Sequence, residues 1–164
     1  MIAKTYVWKT IKLGTGLKTA EEFRRVLRDG EFRLSDWASD ILGKPAFKTA
    51  DEETEVDLVK VTVVELGFKK GAWRNQIYER ARDLGLELCP PEVGPQLRLQ
   101  YQDQPKGEWI LVAMEPIVDS DGDPKLFGVG RYGSGLWLGS YWGFPVSFWF
   151  AGHPWVFCRP CRSK

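Results

Sequence analysis

Residues 131–154 read RYGSGLWLGSYWGFPVSFWFAGHP, a stretch with no acid, no lysine and one arginine. It keeps neither the two-residue alternation of a half-buried strand nor the 3.6-residue spacing of a helix, so it reads as a long irregular segment. Ten aromatic residues fall between Tyr132 and Phe157, interleaved with Gly133, Gly135, Gly139, Gly143 and Gly152. Such density fits a core in which large rings fill space and glycines allow tight turns. It also fits a binding surface, because a long loop inside a compact domain is itself a pointer to function.

The segment divides into two kinds of residue. Leu136, Trp137 and Leu138, then Phe148 and Trp149, then Trp155, Val156 and Phe157 form apolar clusters spaced like anchors, with Pro145 holding a turn. About three-quarters of these anchors are expected to be buried, since large apolar rings seldom stay exposed without a reason. Between them stand Tyr132, Gly133 and Ser134, then Gly139, Ser140 and Tyr141, then Phe144, Val146 and Ser147, then Phe150, Ala151, Gly152 and His153. Tyrosine, serine and glycine prevail in this second set, as in antibody paratopes, where tyrosine gives contact area at low entropic cost and serine and glycine adapt locally.

Working outward, WVFCRP closes the sequence as a strand, and GEWILVAMEPIV and KLFGVGR are strands flanking a hairpin turn at Asp119–Asp123, which together suggest an antiparallel sheet. The N-terminal half is mixed. Residues 5–12 read as a strand; Thr19 and Glu22 form a capping box that starts a helix ended at Gly30; a short helix follows Ser35. A β-branched strand lies within Glu55–Phe68, and the next helix carries Trp73, Ile77, Ala81, Leu84 and Leu86 at helical spacing. After Pro90 and Pro91 a further short helix is favoured over an extended connection.

At 164 residues the chain is long enough to bury its own core, and 23 basic against 22 acidic side chains leave a net charge of +1. Neither nucleic acid nor an anionic membrane is called for electrostatically, and no stretch approaches membrane-spanning length. The alternating start MIAKTYVWKTIKLG argues against a signal peptide, so a place on a virion or cell surface would need a partner to carry it. No active site is legible. His153 has no acidic neighbour in sequence and reads as a surface loop histidine. Cys158 and Cys161 have CxxC spacing but lack a zinc ligand set, so with Cys89 they are expected to be free thiols. Asp119, Asp121 and Asp123 resemble half a calcium loop without its distal glutamate and are better read as a turn. The expectation is no catalytic residue, no metal and no cofactor.

The alternation of fixed anchors and changeable positions resembles the variable proteins of diversity-generating retroelements, a family that presents a mutable binding site on a C-type-lectin fold. In that family, template codons, mostly for asparagine, are mutated at their adenines. All thirteen intervening residues are types such codons can reach, whereas Trp142 is not and stays between scaffold and variable set. LGTGLKTAEEFRR and SDWASDILGKPAF also resemble short proteins associated with such elements in uncultured microbes. The resemblance implies one α+β, C-type-lectin-like domain over 1–164 with antiparallel strands, flanking helices and a variable region at about 130–157. It further implies a non-enzymatic protein of viral or microbial origin that binds a macromolecular ligand, protein or glycan, with the thirteen residues as contacts. Two other classes remain: a glycan-binding or carbohydrate-processing protein stacking sugars on its rings, and a structural assembly module whose aromatics pack permanently on a partner.

Overall fold

The computed structural model describes residues 6–133 and 135–160; Ser134 and Cys161 lie outside the described residues. In chain order the elements are β1 (Lys9–Leu13), α1 (Ala20–Asp29), β2 (Arg33–Leu34), α2 (Asp36–Leu42), β3 (Thr54–Thr62), β4 (Ala72–Trp73), α3 (Arg74–Asp83) and α4 (Val93–Gln100). Then follow β5 (Trp109–Val112), β6 (Ile117–Val118), β7 (Pro124–Tyr132), β8 (Gly135–Trp142), β9 (Phe148–Trp149) and β10 (Pro154–Cys158). The chain is thus α+β, as expected.

Local chemistry explains the helices. Thr19 Oγ1 accepts the Glu22 N–H at 3.1 Å while Glu22 accepts the Thr19 N–H at 3.1 Å, a reciprocal cap that starts α1 and lets Phe23 and Leu27, one turn apart, face inward. Ser35 Oγ caps α2 through the Ala38 N–H at 3.2 Å. Pro90 and Pro91 supply the carbonyls that receive the N–H groups of Val93 and Gly94, both at 3.0 Å, and Pro95 fits the first turn of α4 because no N–H is needed there. A Cβ on Gly94 would stand 2.5 Å from the Phe127 ring, so glycine is what lets α4 lie close on β7.

The main sheet runs β1-β3-β10-β5-β7-β8-β2, with β6 paired to β7. The expected all-antiparallel sheet needs correction: β10 runs parallel to β5 and β2 parallel to β8. Two further expectations shift. The strand sought as far as Phe68 ends at Thr62, where the Thr62 N–H and hydroxyl both turn to the Glu65 carboxylate. The strand sought over 107–118 breaks after Val112, because the Met114 N–H goes to the Tyr78 hydroxyl at 3.1 Å and Pro116 has no N–H to give a ladder.

One face of the sheet is covered by α1, α2 and α4, where Phe23, Phe47 and Phe127 meet edge to face. On the other face Tyr78 of α3 packs edge-on against Trp155 and Phe157 and bonds the Met114 carbonyl at 2.8 Å. Trp155, Val156 and Phe157 are fully buried. Beyond α3, the outward face of β5, β7 and β8 is left to the aromatic residues of the C-terminal segment.

Candidate ligand-binding surface

The segment expected to be irregular is half regular: Gly135–Trp142 is a full strand in register with β7. Its alternation is hidden in sequence because both faces carry apolar residues. Directly paired residues share a face, so Trp137 with Gly130, Gly139 with Gly128, and Tyr141 with Leu126 all point outward, joined by Trp109 opposite Gly130. Glycines make the floor. A Cβ on Gly128 would meet the Tyr141 ring at 2.2 Å and one on Gly130 the Tyr132 ring at 2.8 Å, so both rings lie flat against bare backbone. Tyr132 stacks on Trp137 at 5.6 Å, and Tyr141 stacks on Trp109 at 4.5 Å. Burial raises the Tyr141 phenol pKa, and the neighbouring Tyr132 hydroxyl adds to the shift.

Behind this hairpin sits Arg98, fully buried in α4. Its guanidinium donates to the Gly130 carbonyl at 3.1 Å, the Trp137 carbonyl at 3.3 Å, the Tyr101 carbonyl and Gln104 Oε1 at 2.7 Å, so one side chain clamps both strands from the rear. Burial pulls its pKa down to about 10, leaving it charged near neutrality. Gln104 passes the network on to Glu108, which also receives the Tyr101 hydroxyl at 2.8 Å and pairs with Lys60 at 3.0 Å.

Residues 143–153 cross back over the sheet, held largely by main-chain bonds. Gly143 donates to the Pro124 carbonyl at 2.9 Å. The first N–H groups of α3, on Arg74 and Asn75, donate to the carbonyls of Ser147 at 2.8 Å and Pro145 at 3.0 Å. The Arg74 guanidinium donates to the Phe144 carbonyl at 3.1 Å. Further on, Val64 and Val63 donate to the carbonyls of Ala151 at 2.7 Å and His153 at 3.2 Å, and β9 pairs with β4. Backbone therefore fixes the path while several side chains point away: Phe144 is 38% exposed, Val146 67% and Phe150 76%.

The thirteen positions do not share one environment. Tyr132, Gly133, Phe144, Val146, Phe150 and Gly152 are exposed; Ser140, Tyr141, Ser147 and Ala151 are half-buried. Gly139 and His153 are buried. Ser134 falls outside the described residues. His153 is not the surface histidine expected: its ring packs edge-on against Trp109 at 4.2 Å and lies beside Trp149 at 5.0 Å. Burial alone brings its pKa down to about 4, so it is neutral at ordinary pH, and its Nε2 has no hydrogen-bond partner. The anchors are also less buried than expected. Leu138, Trp155, Val156 and Phe157 are buried, Leu136, Trp137 and Trp149 are half-buried, and Phe148 is 47% exposed. Trp142 is likewise exposed, at the end of β8.

Two residues of this surface were not singled out from sequence. Trp73, expected on the buried stripe of a helix, sits in β4 with its ring exposed and edge-on to Phe148 at 5.3 Å. Trp109 lies on a strand far upstream, and only the pairing of β5 with β7 brings it beneath Tyr141.

Compared with known proteins, the chain matches no family model, no curated protein and no solved structure. Among the described residues no three His, Cys, Asp or Glu side chains converge as a metal site. At Asp119 burial would raise the carboxyl pKa, but the N–H groups of Asp123 and Asp121 on Oδ1 and the Lys125 ammonium, 3.0 Å from Oδ2, outweigh that and hold it below the ordinary value. Cys89 and Cys158 are free and buried, and burial pushes the Cys89 thiol up, away from a reactive thiolate. No helix among the described residues is long and apolar enough to cross a membrane.

Proposed function

We propose that this chain is a non-enzymatic binding protein of the diversity-generating retroelement kind, with a C-type-lectin-like scaffold presenting a rewritable surface over about 130–157. The observation that carries the reading is the main-chain anchoring of 143–153. Carbonyls of Phe144, Pro145, Ser147, Ala151 and His153 make the attachments, so side chains at 144, 146, 147, 150, 151 and 152 can change without touching what holds the segment in place. A surface built this way separates specificity from folding, which is what a diversified binder needs. The exposed rings at its centre are of the type that supplies most interface energy. The ligand is macromolecular, because the exposed aromatics spread over the sheet face and the crossing segment instead of converging in one deep cavity.

Two experiments test this. In a display library randomising Phe144, Val146, Ser147, Phe150, Ala151 and Gly152, most members should stay folded by protease resistance, and selections against unrelated proteins should yield different binders. A library in which few members fold sinks the reading. In the source genome, a near-copy of the codons for 130–157 should lie beside a reverse-transcriptase gene.

A further inference from the structure

The cleft between the end of β8 and β9 has the most specific chemistry on the surface. It encloses about 490 Å3 and is lined by Asp123, Trp142, Phe144, Ser147, Phe148 and Trp149. Four of these are aromatic and only Asp123 is charged. Trp142 and Phe144 stack at 5.7 Å. Asp123 spends its main chain on the turn, its N–H donating to Asp119 Oδ1 at 2.9 Å and its carbonyl accepting the Asp119 N–H at 2.8 Å. Asp123 is half-buried as a residue, and its carboxylate has neither hydrogen bond nor ion pair among the described residues. The nearby cations are committed elsewhere: Arg74 bonds the Phe144 carbonyl and lies over Tyr78 at 4.6 Å, and Lys125 pairs with Asp119.

A carboxylate without a partner beside aromatic faces favours positive charge twice over, through ion pairing and through the ring quadrupole. The protein already contains a filled version of this arrangement. The Lys125 ammonium sits between Trp37 at 4.5 Å and Trp142 at 4.4 Å, with Asp119 as its counter-ion. The neighbouring cleft is lined by the same kinds of group, the Asp123 carboxylate and the rings of Phe144 and Phe148.

We propose that this cleft is an arginine pocket: it receives the guanidinium of an arginine side chain from a protein partner, stacked on the aromatic walls and paired with the Asp123 carboxylate. Arginine suits it better than lysine because the planar guanidinium is weakly hydrated, stacks on rings and offers a carboxylate two parallel donors. The proposal rests on the reading of the segment as a binding surface and adds a fixed element to it. Asp123, Phe148 and Trp149 lie outside the changeable set, so the carboxylate and two of the aromatic walls persist between variants while Phe144 and Ser147 tune the mouth.

The test uses the whole protein and N-acetyl-L-arginine amide, followed by the indole N–H resonances of Trp142 and Trp149. Saturable shifts are expected with a dissociation constant on the order of millimolar, as befits one side chain. N-acetyl-citrulline amide, the neutral isostere, should bind about ten-fold more weakly, and Asp123→Asn should cost about ten-fold for the arginine compound with an unchanged melting temperature. Phe148→Leu, which keeps the carboxylate and removes a wall, should also weaken binding and serves if Asp123→Asn perturbs the turn. Equal binding of arginine and citrulline amides, no binding of either, or a wild-type affinity in both variants overturns the pocket. Those outcomes leave the tolerance of 144–152 to substitution untouched, so failure of the pocket is distinct from failure of the binding-surface reading.

Discussion

Replacing Tyr132, Phe144, Val146 and Phe150 together by serine separates a surface from a core. The four side chains are 42%, 38%, 67% and 76% exposed. Exposed substitutions cost up to about 0.5 kcal/mol each, and losing the stacks of Tyr132 on Trp137 and of Phe144 on Trp142 adds about 0.5–1 kcal/mol each, giving roughly 2–4 kcal/mol in all. For a chain of this size that lowers the melting temperature by roughly 5–15 °C. Trp155→Ala is the contrast: a fully buried indole between Tyr78, Trp149 and Phe157, whose removal leaves a cavity costing about 3–5 kcal/mol. Circular dichroism melts of both variants, with urea titrations to check that the transition stays two-state, measure the difference. The quadruple variant should keep a single cooperative transition. If it loses that transition, or falls further than Trp155→Ala, the exposed rings hold the fold and the separation of specificity from stability is refuted. Tyr141 and His153 are left out of the set because both pack into the layer beneath.

Other consequences are as direct. The folded His153 pKa of about 4 lies below the ordinary value of 6.5, so the unfolded chain binds the extra proton between these pH values. Its contribution to stability is therefore full above about pH 6.5 and falls by on the order of 3 kcal/mol as pH drops to 4, and His153→Phe should flatten that slope in pH-dependent urea titrations. Arg98→Met should cost about 3–5 kcal/mol and speed amide exchange in β7 and β8, since the Gly130, Trp137 and Tyr101 carbonyls lose their shared donor. Gly128→Ala should destabilise by about 1–3 kcal/mol by pushing Tyr141 off the sheet, and the loss should shrink in combination with Tyr141→Ser, a non-additivity that thermal melts can read. Elemental analysis of dialysed protein should find no stoichiometric zinc or calcium, since Asp119 is already paired with Lys125 and no three metal-ligating side chains converge among the described residues.

Sequence legibility followed the locality of the physics. The capping box at Thr19 and Glu22, the Ser35 cap and the Asp119–Asp123 turn are written in a few adjacent residues, and each lies where the sequence puts it. The strand β8 was not legible, because its outward face is lined with Trp137 and Tyr141 and its inward face with Leu138, which erases the alternation that marks a half-buried strand. Nor was the burial of His153, which depends on Trp109 arriving from a strand far upstream. The parallel pairing of β10 with β5 likewise has no local signature. In the segment proposed to bind, the thirteen positions read from sequence fall in three environments among the described residues. Pattern alone found the exposed Phe144, Val146 and Phe150 and could not separate them from Gly139.

The place of β10 has a kinetic meaning. It follows all the other described strands in sequence yet lies in the middle of the sheet, between β3 and β5, and among the described strands the β1-β3 pair is hydrogen-bonded to the β5-β7-β8-β2 set through it. On a ribosome the two sets emerge as incomplete pieces with open edges, and the sheet cannot close until residues 154–158 have left the exit tunnel. Contacts of such long sequence separation fold slowly. A chain stopped before Pro154 should accordingly show no cooperative unfolding and should be prone to aggregate, whatever side chains the preceding segment carries.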